Sequence, residues 1–355
     1  MSNYFEIDFL DVGNAKSGDA ITLRYCLNEE VYIHVVDGGF QDTSEKLIQH
    51  INEYYDSPSY IDAVVVTHPD GDHVGGLRGL FDNFEIGQLW MLRPWVYADE
   101  LIDRFKRFTS IENLAKRLKE LYPNIAALEE LAEENNVPIY EPFQGARIGE
   151  FIVLSPSKEF YLDLIVESEK TPESAKIAQE SLLVAAGKII KKAVAFVRSA
   201  WGEEIFPEED TSPENNMSVV QYANLCGKNI LLTGDAGRAA FMKALEYAHY
   251  VGFSLPGIDR IQVPHHGSRH NVSSEILDAL LGPKLSSKQE NFTAIISAAK
   301  EDRDHPRKAV IRAFIHRGAK VITTKGKSIR TGHNAPHRDG WGPVEPIPYP
   351  QDQEE

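Results

Sequence analysis

The segment Thr67-His68-Pro69-Asp70-Gly71-Asp72-His73-Val74-Gly75-Gly76 directly follows the apolar run Ala63-Val64-Val65-Val66. Four side chains suited to holding metals, His68, Asp70, Asp72 and His73, fall within six consecutive positions. A short β-branched run reads as a buried strand. One that ends in a Pro and Gly turn and then opens a helix can aim all four side chains into one small volume, while Gly75 and Gly76 permit close backbone packing. Without a cation, carboxylates this close repel and one is driven toward its protonated form. A pair of divalent cations removes the conflict. An Asp ahead of a helix also serves as an ordinary N-cap, which accounts for one acid and not for four donors.

Three later segments repeat the pattern of strand running into donor. Ile230-Leu231-Leu232-Thr233-Gly234-Asp235 ends on Gly-Asp, and the two oxygens of Asp235 suit a bridge between two cations. Ile261-Gln262-Val263-Pro264-His265-His266-Gly267-Ser268 sets adjacent histidines where a strand would meet a cleft. In Asp304-His305-Pro306, Asp302 or Asp304 equally well starts the helix that follows, so His305 is placed near the site without a ligand role.

Between these motifs the pattern alternates. Tyr4 to Val12, Ala20 to Leu27 and Val31 to Asp37 read as strands, Ser44 to Tyr55 as a helix, and Gln88 to Leu92 and Arg147 to Leu154 as further strands. Met217 to Ala223, Asn229 to Thr233, Ile258 to Val263, Phe292 to Ala298 and Lys320 to Thr324 continue the series. Helices laid against sheets make the class α/β. Helix-forming blocks at about 98–135 and 158–201 read as insertions into a single domain spanning 1–345, with 346–355 as a flexible tail. Glu203 to Glu214 reads as a solvated loop.

Composition narrows the function. Of the 355 residues, 42% are hydrophobic, enough for a sizeable core. Lys plus Arg number 37 against 53 Asp plus Glu, a formal charge of −16. Such a surface repels a phosphate backbone at long range, which argues against general coating of DNA and leaves nucleic acid only at a locally positive cleft. Cys26 and Cys226 form no CxxC pair, so neither a disulfide framework nor a thiolate zinc site is indicated. The alternating start, with Glu6 and Asp8, suits a strand and not a signal peptide, and a cytoplasmic location is expected. Ser181 to Trp201 is broken by Lys188, Lys191, Lys192 and Arg198 and reads as an amphipathic helix, so no membrane segment is expected.

Together these residues resemble the metallo-β-lactamase fold superfamily, and most closely the soluble hydrolase domain of ComEC-type competence proteins. Asp11-Val12-Gly13 with Gly18-Asp19-Ala20 is similar to that family's opening motif, and Asp37-Gly38-Gly39 to its next glycine turn. HPDGDH looks like the superfamily's HxHxDH signature, Thr233-Gly234-Asp235 like its bridging aspartate, and Val263 to Ser268 like its final histidine motif. Asn216-x-Ser218 and His305-Pro306 also have counterparts there. The resemblance implies an αββα sandwich with metals at one edge between two sheets.

It further implies a ligand set: His68, Asp70 and Asp235 for a first metal, and Asp72, His73, Asp235 and His265 for a second. Asp70 stands where many members carry histidine. The usual third histidine has no equivalent, with Asn215 or Asn216 roughly in its place. More oxygen favours Mn²⁺ or Mg²⁺ without excluding Zn²⁺. A water shared by two cations has its pKa lowered toward ~7, with Asp72 orienting it and His266 donating the leaving-group proton. Asn216, Ser268, Arg269 and His305 are the expected substrate contacts. The implied activity is that of a phosphodiesterase or nuclease acting on single-stranded nucleic acid or a small nucleotide. Hydrolysis of a lactone, thioester or β-lactam at the same metals, or a non-catalytic binding role, are the alternatives.

Overall fold

The computed structural model describes residues 2–168, 170 and 195–355. Two seven-stranded sheets carry the fold. The first has the spatial order Ile329–His333, Tyr4–Phe9, Ala20–Leu27, Glu30–Gly38, Ala63–Val65, Leu89–Trp90, Ile139–Tyr140. It is antiparallel up to Glu30–Gly38 and parallel beyond. The second runs Ala319–Thr323, Phe292–Ile296, Arg260–Gln262, Lys228–Leu232, Val220–Leu225, Phe151–Ser155, Arg147–Ile148. Its first four strands are parallel and the rest antiparallel.

Period-two patterning explains why the sheets stack. Phe5, Ile7 and Phe9 of the first sheet join Ile21, Leu23, Val36 and Val65 against Phe151, Val153, Ile230, Leu232 and Ile295 of the second. Each such side chain contributes about 1.5–3 kcal/mol on burial. A second core lies between the first sheet and its helices, built on Leu47, Ile51, Val64, Leu77 and the helical residues Leu114, Leu118 and Leu128. A third, with Phe241, Leu277, Val310 and Phe314, lies between the second sheet and its helices. The αββα sandwich follows from these three cores.

The alternate face of Tyr4–Phe9 carries Glu6 and Asp8, both fully buried. Arg24 Nε lies 2.7 Å from Glu6 Oε1, and Arg338 reaches Asp8 Oδ1 and Glu6 Oε2 at 2.8 Å each. A buried carboxylate stripped of such a partner costs about 3–5 kcal/mol, so these arginines make an acidic central strand tolerable.

Several elements differ from expectation. The block expected at 98–135 contains the helices Ile111–Leu121 and Pro123–Glu134. Among the described residues, the second block is helical over Lys158–Glu167. Lys188, Lys191 and Lys192, with most of the expected amphipathic helix, lie outside the described residues, and Arg198 ends a strand, Phe196–Arg198. That strand pairs antiparallel with Asp352–Glu354, so 346–355 is no loose tail. The Glu354 carboxylate accepts from the Lys308 and Ala309 amides (2.9 and 3.0 Å), capping the helix Lys308–His316. Nor is Glu203 to Glu214 merely solvated, because the Glu204 carboxylate is buried against His316 and Arg317, 2.8 Å from each. Among the described residues, no helix is long and apolar enough to cross a membrane.

Candidate metal centre

The parallel strands of both sheets deliver chemistry at their carboxyl ends, the position where open α/β sheets bind ligands. Glu30–Gly38 contributes Asp37, and Ala63–Val65 leads into His68, Asp70, Asp72 and His73. Lys228–Leu232 leads into Asp235, Arg260–Gln262 into His265 and His266, and Phe292–Ile296 into Ser297. Tight backbone contacts bring these loops together. A β-carbon on Gly76 would sit 2.1 Å from the Gly38 carbonyl oxygen, and one on Gly234 2.8 Å from Thr67 Oγ1. Asp37, His265 and His266 all have left-handed φ, of 57°, 46° and 54°. Each such residue stores about 1–3 kcal/mol, held in place by the surrounding packing.

Hydrogen bonds fix which nitrogen of each imidazole carries the proton. Thr67 Oγ1 donates to Asp37 Oδ2 at 2.6 Å, so it accepts from His68 Nδ1 at 3.1 Å. His73 Nδ1 donates to Asp37 Oδ2 at 2.7 Å, and His266 Nδ1 to the Ser297 carbonyl at 3.0 Å. All three Nε2 atoms therefore present lone pairs to one space. Among the described residues they have no hydrogen-bond partner, and neither do Asp19 Oδ1 and Asp235 Oδ1, although all five atoms are buried. A buried polar atom left unpaired costs about 1–3 kcal/mol, and five converging ones form the signature of a cation site.

Asp235 divides that space in two. Its Oδ1 lies 3.4 Å from His73 Nε2, and its Oδ2 lies 3.8 Å from His68 Nε2 and 3.6 Å from His265 Nε2. On the inner side, Asp19, His73, Asp235 and His266 offer atoms within 4.8 Å of one another, and all four are buried. Asp72 adjoins this group, its Oδ2 3.9 Å from His266 Nε2. On the outer side stand His68, Asp70 (Oδ2 to His68 Nε2, 3.9 Å) and His265. Asp37, His68 and His73 form a second compact group, but Asp37 is already bonded to Thr67 and His73 and acts as their anchor.

The expected ligands His68, Asp70, Asp72, His73, Asp235 and His265 thus converge. His265 and His68 both bring Nε2 near Asp235 Oδ2, and His266 groups with Asp19, His73 and Asp235. Asn271 donates to the Asp235 and Ala236 carbonyls, which leaves its Oδ1 facing His265 Nδ1 at 3.0 Å. Asn215, not Asn216, touches the site, its Nδ2 3.0 Å from His265 Nδ1. Asn216 donates to Asp210 and accepts from the Ala240 amide. Ser268 Oγ accepts from the His270 amide, and Arg269 reaches the Glu355 carbonyl. His305 packs against both histidines, 5.7 Å between ring centroids for His265 and 6.1 Å for His266. Its Nδ1 lies 3.2 Å from Asp302 Oδ2, which also accepts from Ser17 at 2.6 Å. Asp19 and Asp37, which the sequence offers only as members of glycine motifs, prove to be a donor and an anchor of the cluster. The signal available for each was an acid beside a glycine at a strand end.

Electrostatics reflect the crowding. Burial pushes the Asp19 carboxyl up. For Asp72 and Asp235 burial acts the same way, but neighbouring histidines overturn it and hold both below the usual carboxylate range. Burial lowers His68, helped by the charge on His73. Burial is overcome at His266, which the nearby Asp235, Asp72 and Asp19 carboxylates push up to about 9. A proton and a metal ion compete for such a lone pair.

Residues 29–114 match a family model described as the metallo-β-lactamase superfamily. That match covers the HPDGDH loop, and the architecture is the metallo-β-lactamase fold. The superfamily is one of metal-dependent hydrolases, and the donor cluster is a candidate metal site of that kind. No curated protein sequence matches the chain. Similar solved structures include a diphosphatase from the PhnP family, at TM-score 0.40 and 10% identity over 92% of this chain and 97% of that one. A CmlA β-hydroxylase variant gives 0.39 and 11% over 94% and 54%. Metallo-β-lactamase MIM-1 from Novosphingobium pentaromativorans gives 0.31 and 9% over 76% and 78%.

Proposed function

We propose that the chain is a hydrolase of phosphodiesters that depends on divalent metal ions, its substrate a single-stranded nucleic acid or a small nucleotide, as in the ComEC-type hydrolase domains its motifs resemble. The observation that carries this reading is the convergence of five buried, unpartnered donor atoms on a space ringed by Asp19, Asp70, Asp72 and Asp235. Such a donor set fits divalent ions. Its oxygens favour Mn²⁺ or Mg²⁺, the hard cations that serve phosphate chemistry, and its imidazoles keep Zn²⁺ in range. Cations held there would lower the pKa of a water toward ~7 and offset the charge on a phosphoryl group.

The remaining work falls to the chain. His68, Asp70, Asp235 and His265 face the outer position, and Asp19, Asp72, His73, Asp235 and His266 the inner one. Asp72, whose side chain is 31% exposed, accepts a hydrogen bond from the attacking water and sets its direction. His305, kept neutral by burial that pushes it down to about 4 and with its Nδ1 turned to Asp302, accepts a proton from the attacking water through Nε2, and the leaving oxygen takes its proton from solvent. Ser268 and Arg269 flank the histidine turn, where a substrate phosphate meets them.

The test is a substrate panel. Protein loaded with Mn²⁺, Mg²⁺ or Zn²⁺ is incubated with labelled single-stranded oligonucleotides, small nucleotides and bis(p-nitrophenyl) phosphate, beside lactones, a thioester and a β-lactam. Phosphodiester cleavage is expected. Turnover confined to the carbonyl substrates overturns the assignment of the bond, and a metal-loaded protein inert to every substrate overturns hydrolysis altogether.

A further inference from the structure

The two cation positions are not equivalent. Inner donors Asp19, His73, Asp235 and His266 are all buried and mutually close. The outer position is open, with the Asp70 side chain 34% exposed and that of His265 29%. It also contains a cation already. Lys170 Nζ lies 2.8 Å from Asp70 Oδ1, while the other oxygen of the same carboxylate faces His68 Nε2 at 3.9 Å. The ammonium is held from a second direction by the Tyr122 ring, 5.7 Å to its centroid.

We propose that Lys170 is a resident cation of the outer position, so that one metal ion binds tightly at the inner position and a second binds only by displacing Lys170 from Asp70. The inference rests on the reading of the cluster as a metal site and adds an order of filling to it. The physical argument is one of charge. The outer carboxylate has two oxygens, and an ammonium on one of them repels a divalent ion arriving at the other across a few ångströms. Within the cleft, Lys170 supplies the charge that a second metal would otherwise bring. The centre then works with one firmly held ion, and the second follows the free metal concentration.

Mn²⁺ titration calorimetry, with metal content measured by plasma mass spectrometry, tests this on the full chain and on Lys170→Met and Lys170→Arg. Wild-type protein is expected to bind one equivalent tightly and a second far more weakly. Lys170→Met should tighten the second equivalent about tenfold and leave the first unchanged, while Lys170→Arg keeps the wild-type pattern. Two equivalents bound alike in wild type, or a second equivalent indifferent to Lys170→Met, overturns the role of Lys170. Wild-type protein that binds no Mn²⁺ or Zn²⁺ at all is a different failure and removes the metal-site reading beneath it.

Discussion

Adjacent histidines with left-handed φ hold their rings 5.7 Å apart at 71° to each other, and that geometry separates two roles that composition cannot. His266→Ala removes an inner donor, so metal content should fall below one equivalent and turnover should vanish with it. His305→Ala removes the proposed base, which packs on the donor histidines without joining the donor cluster, so metal content should stay at wild type while the rate falls about 10²–10⁴-fold. Metal analysis beside single-turnover kinetics separates the two. Asp37 acts through His73 and Thr67, and Asp37→Ala should weaken metal affinity about 10–100-fold, read by competition with a chelating dye. At this scale the local motifs were legible because spacing alone brings His68, Asp70, Asp72 and His73 together. The division of labour between His265 and His266 was not, since it depends on backbone angles at a turn. Asp19 and Asp37 stood out only as parts of glycine motifs, without a role, because their partners lie across the fold, as in the bond from Asp37 to a residue 36 positions away.

Among the elements, those with an apolar core were the ones patterning revealed. Ala20–Leu27 and Lys228–Leu232 match the expected strands closely, because period-two burial between two sheets leaves a plain trace. Asp352–Glu354 left none. It is a three-residue strand of polar side chains whose value lies in two backbone contacts and a carboxylate, and no hydrophobic periodicity marks such a piece. Its contribution is measurable. Glu354 satisfies two open amides at the start of the helix Lys308–His316, so Glu354→Ala should cost about 1–2 kcal/mol, read as a lower urea midpoint at unchanged slope. Gly38 and Gly76 illustrate the opposite case, in which a short motif was enough to foretell a close approach of backbones.

For the whole molecule, the contact between the sheets sets the acid limit. His34 and Tyr25 of the first sheet meet Phe151 and the Glu150 amide of the second, the His34 and Phe151 rings lying 6.2 Å apart. Burial pushes His34 down to about 4, against about 6.5 in an unfolded chain. Between those values the unfolded chain binds a proton that the folded one refuses. Stability is therefore complete above pH 6.5 and is lost as pH falls toward 4, by about 3 kcal/mol in all. Urea midpoints measured from pH 7.5 to 4 should show this limb, and His34→Leu should make it shallower, leaving the share of His305, which burial also pushes down to about 4. The sandwich itself was legible as a whole, through the order of its motifs, whereas the pairing of its last strand with Phe196–Arg198 was not.

The donors at the sandwich edge come from both halves, His68 and His73 from one and Asp235 and His266 from the other. An ion seated there is consequently a rivet as well as a reagent, and its removal belongs to the thermodynamics of assembly. Treatment with a chelator should lower the melting temperature in step with the ion's affinity, by the equivalent of about 2.7 kcal/mol when the free ion had stood at a hundred times its dissociation constant. Cells short of metal would then hold a protein that is slack before it is silent.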